Sequence, residues 1–284
     1  MPQSEVKSTP CPECGGSGWL ILPDGGAGRA RACECRKQHL AAHILAGAAI
    51  PERYLHCKIT TFHTSSPDAS EQAQLVQARA IAQRYVDQFL KEGGGFTDSG
   101  LLFLGPPGTG KTHLAVGVLQ EILKRHGVRG RFAEFGALLH QIQATFDPGS
   151  PESKHAVLDP LTEAEILVLD ELGSQQMTPW VRDILYLIIN QRYLRRLPTI
   201  FTTNYRLPGK PEKAESALRA ERGERLDRGR DPLAAAPPEP VHLLSARLQA
   251  SLISRLYEMA QPIELTAVAD FRREHKLYKA RVLP

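Results

Sequence analysis

The run Gly105-Pro106-Pro107-Gly108-Thr109-Gly110-Lys111-Thr112 has the spacing G-x-x-x-x-G-K-T of a phosphate-binding loop. Glycines let the backbone curl so that successive N–H groups turn toward phosphate oxygens. Lys111 places a compact positive charge on the β- and γ-phosphates, and Thr112 offers a hydroxyl to Mg²⁺. The apolar run Leu101-Leu102-Phe103-Leu104 before the loop reads as a strand. The residues from His113 to Leu119 suit a helix whose N-terminus faces the anion. A chance glycine-rich turn would lack this strand–loop–helix context, so Gly105 to His113 form the expected ATP-binding run.

A second constellation sits at a suitable distance. Ile166-Leu167-Val168-Leu169 is an all-apolar run, as a central parallel strand covered on both faces requires, and it closes on Asp170 and Glu171. Asp170 can hold Mg²⁺ opposite Thr112, and Glu171 is placed to orient or activate a water. The run Thr199-Ile200-Phe201-Thr202-Thr203 closes on Asn204. Asn204 has two readings: positioning the water near the γ-phosphate, or capping a turn at a strand end.

Four of the five cysteines fall in two pairs, Cys11-x-x-Cys14 and Cys33-x-Cys35. Four thiolates suit tetrahedral zinc, and Gly15-Gly16-Ser17-Gly18 allows a tight knuckle after the first pair. Disulfides are the rival reading, countered by the reducing interior expected for a cytoplasmic chain. The C-x-C spacing is less usual than C-x-x-C, so His39 stands as a substitute ligand. Four protein ligands leave no open position for catalytic zinc. Cys57 reads as a buried spare.

These residues need elements to position them. Strands are expected at 101–104, 131–134, 166–170 and 199–203, with helices at about 111–126, 136–146, 178–194 and 246–259. This alternation argues for a parallel sheet. Ahead of it, a short helix is expected from Arg36 to about Leu45. A loop segment runs from Ile50 to Phe62. A helical pattern spans Glu71 to Leu90. Asp147 to Pro151 interrupts the chain with proline and glycine. Arg206 to Asp231 holds eight basic and six acidic residues and is followed by an Ala-Pro-rich run. It reads as a solvated insertion over 205–240, with a charged helix or a nucleic-acid-binding arm as alternatives.

The 284 residues are 42% hydrophobic, enough for one α/β domain and an appendage, and the net charge of +4 permits nucleic-acid contact without demanding it. No apolar run approaches the roughly 18 residues of a membrane span. With no apolar signal region at the start, a cytoplasmic protein without membrane association is expected.

Together these residues resemble the AAA+ bacterial helicase loaders of the DnaC/DnaI type and the related IstB-like transposition helper ATPases. Ile50-Pro51-Glu52-Arg53-Tyr54 with Phe62 is similar to the segment leading into their ATPase core. Leu169-Asp170-Glu171-Leu172-Gly173 resembles their Walker B signature, Phe201-Thr202-Thr203-Asn204 their sensor-1 strand, and Ile253-Ser254-Arg255-Leu256 their box VII. The resemblance implies an α/β, AAA+ P-loop NTPase core with a parallel sheet flanked by helices, preceded by a small zinc-binding region. It implies a zinc region over 1–48, a linker and helix over 49–98, and an ATPase domain over 99–284. Lys111, Asp170, Glu171 and Asn204 then carry catalysis with ATP and Mg²⁺. Arg255 serves as a finger toward a neighbouring subunit, with Arg247, two helical turns earlier on the same face, a lesser candidate. Phe146, Thr178 and Trp180 match positions that touch single-stranded DNA, although Trp180 reads equally as an apolar anchor. The implied partners are a DnaB-type replicative hexameric helicase, single-stranded DNA and other copies of the chain. The cysteine cluster resembles that of many loaders and tilts the comparison toward them. A transposition helper acting on duplex DNA and a non-hydrolysing zinc-ribbon adaptor are the alternatives.

Overall fold

The computed structural model describes residues 11–15, 17–22, 29–91, 94–147, 153–207, 243–268 and 270–274. Most of the charged 205–240 segment and of the Pro-Gly stretch at 147–151 lies outside the described residues, as does the side chain of His39.

Five parallel strands form the main sheet. These are β3 (Gly100–Leu104), β4 (Gly130–Glu134), β5 (Ile166–Asp170), β6 (Thr199–Thr203) and β7 (Ala260–Glu264), in the spatial order β4-β5-β6-β3-β7. Successive strand residues point to opposite faces. Leu101, Phe103, Ile166, Val168 and Ile200 therefore enter one core, while Leu102, Leu104, Leu167, Leu169 and Phe201 enter the other. Both faces are buried, and this is why β3 and β5 are apolar throughout instead of alternating.

Helices α2 (Ala69–Asp87) and α3 (Lys111–His126) supply the first core. The second is filled by α4 (Phe135–Ala144), α5 (Lys154–Glu163), α6 (Pro179–Leu194) and α7 (Ala250–Met259). Helix α3 ends at Gly127 in the left-handed conformation, with Lys124, Arg125 and His126 in its last turn. Thr178 caps α6 by accepting from the Val181 N–H, and Pro179 fills its first turn.

Three expectations are corrected. The helix expected over 246–259 is a separate turn at Leu244–Ala246 followed by α7. Leu244 donates to the Arg206 carbonyl, and extended Gln249 separates the two pieces. Arg247 is therefore not on the helix of Arg255; it lies over the Tyr205 ring, 5.1 Å from its centroid. Helix α5 was not expected, because Pro160 sits inside it. Strand β7 was not expected either. It contains Pro262 and buries only Ala260 and Ile263, a pattern an edge strand tolerates.

Beneath α5 and α6 lies a fully buried arginine, Arg192. Its guanidinium donates to the carbonyls of Leu161 (2.7 Å), Ala164 (2.8 Å) and Pro198 (2.8 Å) and to the Thr199 hydroxyl (2.8 Å). Burial pulls its pKa down to about 9. Unsatisfied buried acceptors cost about 1–3 kcal/mol each. Arg192→Met, which keeps the bulk and removes every donor, is expected to lower unfolding free energy by at least about 3 kcal/mol. An unchanged urea midpoint would show that the staple contributes nothing.

Candidate functional site

The P-loop leaves β3 and enters α3. Gly108 and Gly110 have φ of 83° and 89°, in the left-handed region that glycine favours. A Cβ on Gly110 would lie 2.5 Å from the Phe62 ring, and one on Gly108 would lie 1.9 Å from the Asp270 carboxylate. The loop is thus clasped by the segment before α2 and by the segment after β7. The Phe271 N–H donates to the Gly108 carbonyl (3.2 Å), and Leu265 N–H to the Leu104 carbonyl (2.7 Å).

Lys111 is buried and donates from Nζ to the Gly105 (2.8 Å) and Pro106 (2.6 Å) carbonyls. Desolvation pulls its pKa down to about 8, against the opposing pull of Asp170 and Glu171. Asp170 Oδ1 accepts from the Thr202 hydroxyl (2.6 Å) and from the Thr112 hydroxyl (2.9 Å). Burial holds this carboxyl above the usual carboxylate range, with both hydroxyls acting against the shift. Thr112 and Asp170, the pair expected to share Mg²⁺, are therefore in direct contact.

Glu171 has φ of 59°, a left-handed backbone that costs a non-glycine residue about 1–2 kcal/mol. Its N–H donates to Thr202 Oγ1 (2.9 Å), and the Leu172 N–H to the Thr202 carbonyl (2.8 Å). Those bonds hold the strained residue, whose exposed side chain lines the cavity beside the P-loop.

That cavity has a volume of about 540 Å³. Lys111, Thr112, Thr202 and Asn204 line it together with Phe271 and Arg272. The Phe62 and His113 rings are 5.8 Å apart, and His63 and Phe271 5.6 Å. Cationic, hydroxyl and aromatic groups in one cleft fit a nucleotide with its metal. Sequence reasoning missed Thr202, Phe271 and Arg272. Thr202 carried a usable signal, since it lies two residues before Asn204 on the expected strand.

Arg255 does not line this cavity. Its guanidinium sits over Tyr186 (4.9 Å) and Tyr193 (5.5 Å), and Nη2 donates to the Tyr186 hydroxyl (3.3 Å). Its Nη1 is buried without a hydrogen-bond partner among the described residues. Phe146 is 58% exposed, with its ring 6.2 Å from that of Trp180. Trp180 also packs against the core, and Thr178 caps α6.

A separate hairpin precedes the core. Strands β1 (Trp19–Leu22) and β2 (Arg29–Ala32) pair antiparallel, which returns Cys33 and Cys35 to Cys11 and Cys14. Helix α1 (Glu34–Gly47) follows. Cys11 and Cys33 Sγ are 3.8 Å apart, Cys14 and Cys35 Sγ 3.3 Å, and the Gly18 N–H donates to Cys14 Sγ. Hydrogen bonding to Cys14 pushes the Cys35 thiol well above its ordinary value. Four convergent thiols with backbone N–H support fit a structural zinc ion, whose charge would stabilise the thiolates.

A profile of the family described as IstB-like ATP binding protein matches residues 61–210, just over half of the chain. The replicative helicase loader DnaC of Escherichia coli is 30% identical over 129 residues, 45% of this chain and 50% of that protein. An ATP-binding protein of insertion sequence IS5376 from Geobacillus stearothermophilus is 35% identical over 104 residues, 37% of this chain and 39% of that protein. The chain thus spans half or less of the length of these curated relatives. The crystal structure of the DnaC helicase loader superimposes with a TM-score of 0.53 at 27% identity, covering 75% of this chain and 99% of that one.

The lowered pKa of Lys111 gives a signed expectation. The side chain is an ammonium below about pH 8 and an amine above it. A bound phosphate restores the ammonium, so binding takes up a proton once the pH exceeds about 8. Affinity for a fluorescent ADP analogue is then expected to fall, approaching tenfold per pH unit above 8. A flat profile from pH 7.5 to 9.5 would contradict contact between Lys111 and the phosphates.

Proposed function

We propose, on the premise that this chain belongs to the family of IstB-like ATP binding proteins, that it is an ATP-hydrolysing loader of a replicative helicase. The observation that carries this reading is the likeness to the DnaC helicase loader, which extends over 99% of that crystal structure. The gathered cysteine hairpin ahead of the core supports it.

In this reading Lys111 and the loop N–H groups bind the ATP phosphates. Thr112 and Asp170 hold Mg²⁺, which neutralises developing charge on the phosphates. Glu171 orients the attacking water, with Asn204 alongside it. The left-handed turn at Glu171 aims its carboxylate out of the strand end into the cavity. Arg255 completes a neighbouring subunit's site, and so hydrolysis is slow until copies assemble. The exposed Phe146 ring, edge-on to Trp180, offers bases of single-stranded DNA a stacking platform worth about 1–3 kcal/mol per base. The zinc hairpin grips the helicase. Action on a replicative helicase places the chain in the cytoplasm.

One observation favours a second reading. The relative from IS5376 suggests a transposition helper that assembles on duplex DNA. The non-hydrolysing adaptor is disfavoured by the intact Lys111, Asp170 and Glu171.

Two measurements test the loader reading. With ATP, the chain is expected to co-purify with the hexameric replicative helicase of the same cell, and Cys14→Ser or Cys33→Ser to lose that complex while keeping ADP affinity. ATP-dependent assembly on duplex DNA without helicase binding would transfer the assignment to the helper. Arg255→Ala is expected to abolish turnover stimulated by DNA or partner, a loss of about 10³-fold or more, with ATP affinity near normal. An equal loss of ATP affinity would contradict the finger role.

A further inference from the structure

We propose that His56, Cys57 and His113 form a second metal site, for Zn²⁺ or a cation of similar softness, and that an ion held there excludes nucleotide from the P-loop cavity. One ligand atom from each of the three residues lies within 4.8 Å of the others. All three residues line the same cavity as Gly110, Lys111 and Thr112. Tetrahedral zinc sets its ligand atoms roughly 3.3–3.8 Å apart, given bonds of about 2.0–2.3 Å. Cys57 Sγ and His56 Nε2 are already 3.9 Å apart, and the His56 ring is exposed and able to turn.

The scaffold beneath these residues is fixed. Helix α3 carries His113 in its first turn and Gln120 two turns later. Gln120 donates from Nε2 to the buried Cys57 carbonyl (2.9 Å) and to the Leu55 carbonyl (3.3 Å), so one helix positions both halves of the site. His113 Nε2 lies 2.9 Å from the Lys58 carbonyl. The Thr61 hydroxyl lies 3.2 Å from the same nitrogen. A hydrogen bond to the carbonyl requires the proton on Nε2 and leaves the Nδ1 lone pair for an ion. A backbone carbonyl bonded to the second ring nitrogen is the usual support of a metal-binding histidine.

Cys57 is 2% exposed. A thiol binds as its thiolate, so binding releases one H⁺ as the S–metal bond forms. Three protein ligands leave a fourth position for water. The ion and its water would then project into the cleft that the nucleotide requires. This exclusion rests on the nucleotide-binding reading, whereas the metal site itself does not.

The test uses the full chain, freed of metal and nucleotide and titrated with Zn²⁺. Two equivalents are expected, one for the four-cysteine cluster and one for this site. Cys57→Ser and, separately, the exposed-site variant His56→Ala are expected to take up one. The Co²⁺ absorption of the four-cysteine site should remain intact in both variants, and their thermal unfolding should match that of the parent, which shows that the core folds. Filling the second site should weaken ADP-analogue binding at least tenfold in the parent chain and leave it unchanged in both variants. A single equivalent in the parent, or two equivalents retained by both variants, overturns the site. A second equivalent with unchanged ADP affinity overturns the exclusion. ADP that fails to bind the one-equivalent protein overturns the nucleotide reading instead, and the metal count still decides the site.

Discussion

Asp170 is 1% exposed and ends β5. Its carboxylate accepts hydroxyl bonds from Thr112 in the first turn of α3 and from Thr202 on β6. A carboxylate buried this deeply is unfavourable unless its lone pairs are filled. Both hydroxyls donate to Oδ1 and in doing so fix the first turn of α3 against the central strands. Thr202 performs two tasks, since its oxygen also accepts from the strained Glu171 backbone. One threonine therefore sets both the buried acid and the exposed one beside it.

The second constraint is the covering of β3. The strand lies between β6 and β7, parallel to both. After β7, Leu265 bonds to the end of β3 at Leu104 and Phe271 to the P-loop backbone at Gly108. The segment before α2 closes the opposite side, where Phe62 packs on Gly110. Glycine at 108 and 110 thus serves two needs, a left-handed backbone and room for these neighbours. The cleft is assembled from segments more than 200 residues apart, as Phe62 and Phe271 both line it.

Much of this was legible in the sequence, for identifiable reasons. Strands β3 and β5 are short apolar runs, the pattern of strands buried on both faces, and β6 is a β-branched and aromatic run closing on polar residues. The phosphate loop is encoded by residue type and spacing. What was missed depends on tertiary partners. The apolar content of β7 is low because it is an edge strand containing Pro262, and only its pairing with β3 identifies it. Pro160 masks α5, which is nevertheless fixed by its Ser153 cap and by Arg192 at its C-terminal end. Phe271 and Arg272 follow no recognisable motif, and only the fold brings them to the cleft.

The family match covers residues 61–210, which contain the P-loop, the Asp170 anchor and the sensor-like Asn204. Likeness over this region does not choose between a helicase loader and an insertion-sequence ATP-binding protein, since relatives of both descriptions match. The cysteine hairpin at 11–35 and the charged stretch after Leu207 lie largely outside the matched residues. The hairpin pairs through its backbone, and its described side chains are mostly exposed, including Trp19 and Ile21. A two-stranded hairpin is marginal alone in water, so its four thiols rather than a core would have to stabilise it. An exposed hairpin that lines no part of the P-loop cavity is suited to recognition. Features that set this chain's partners are therefore best sought outside the matched core.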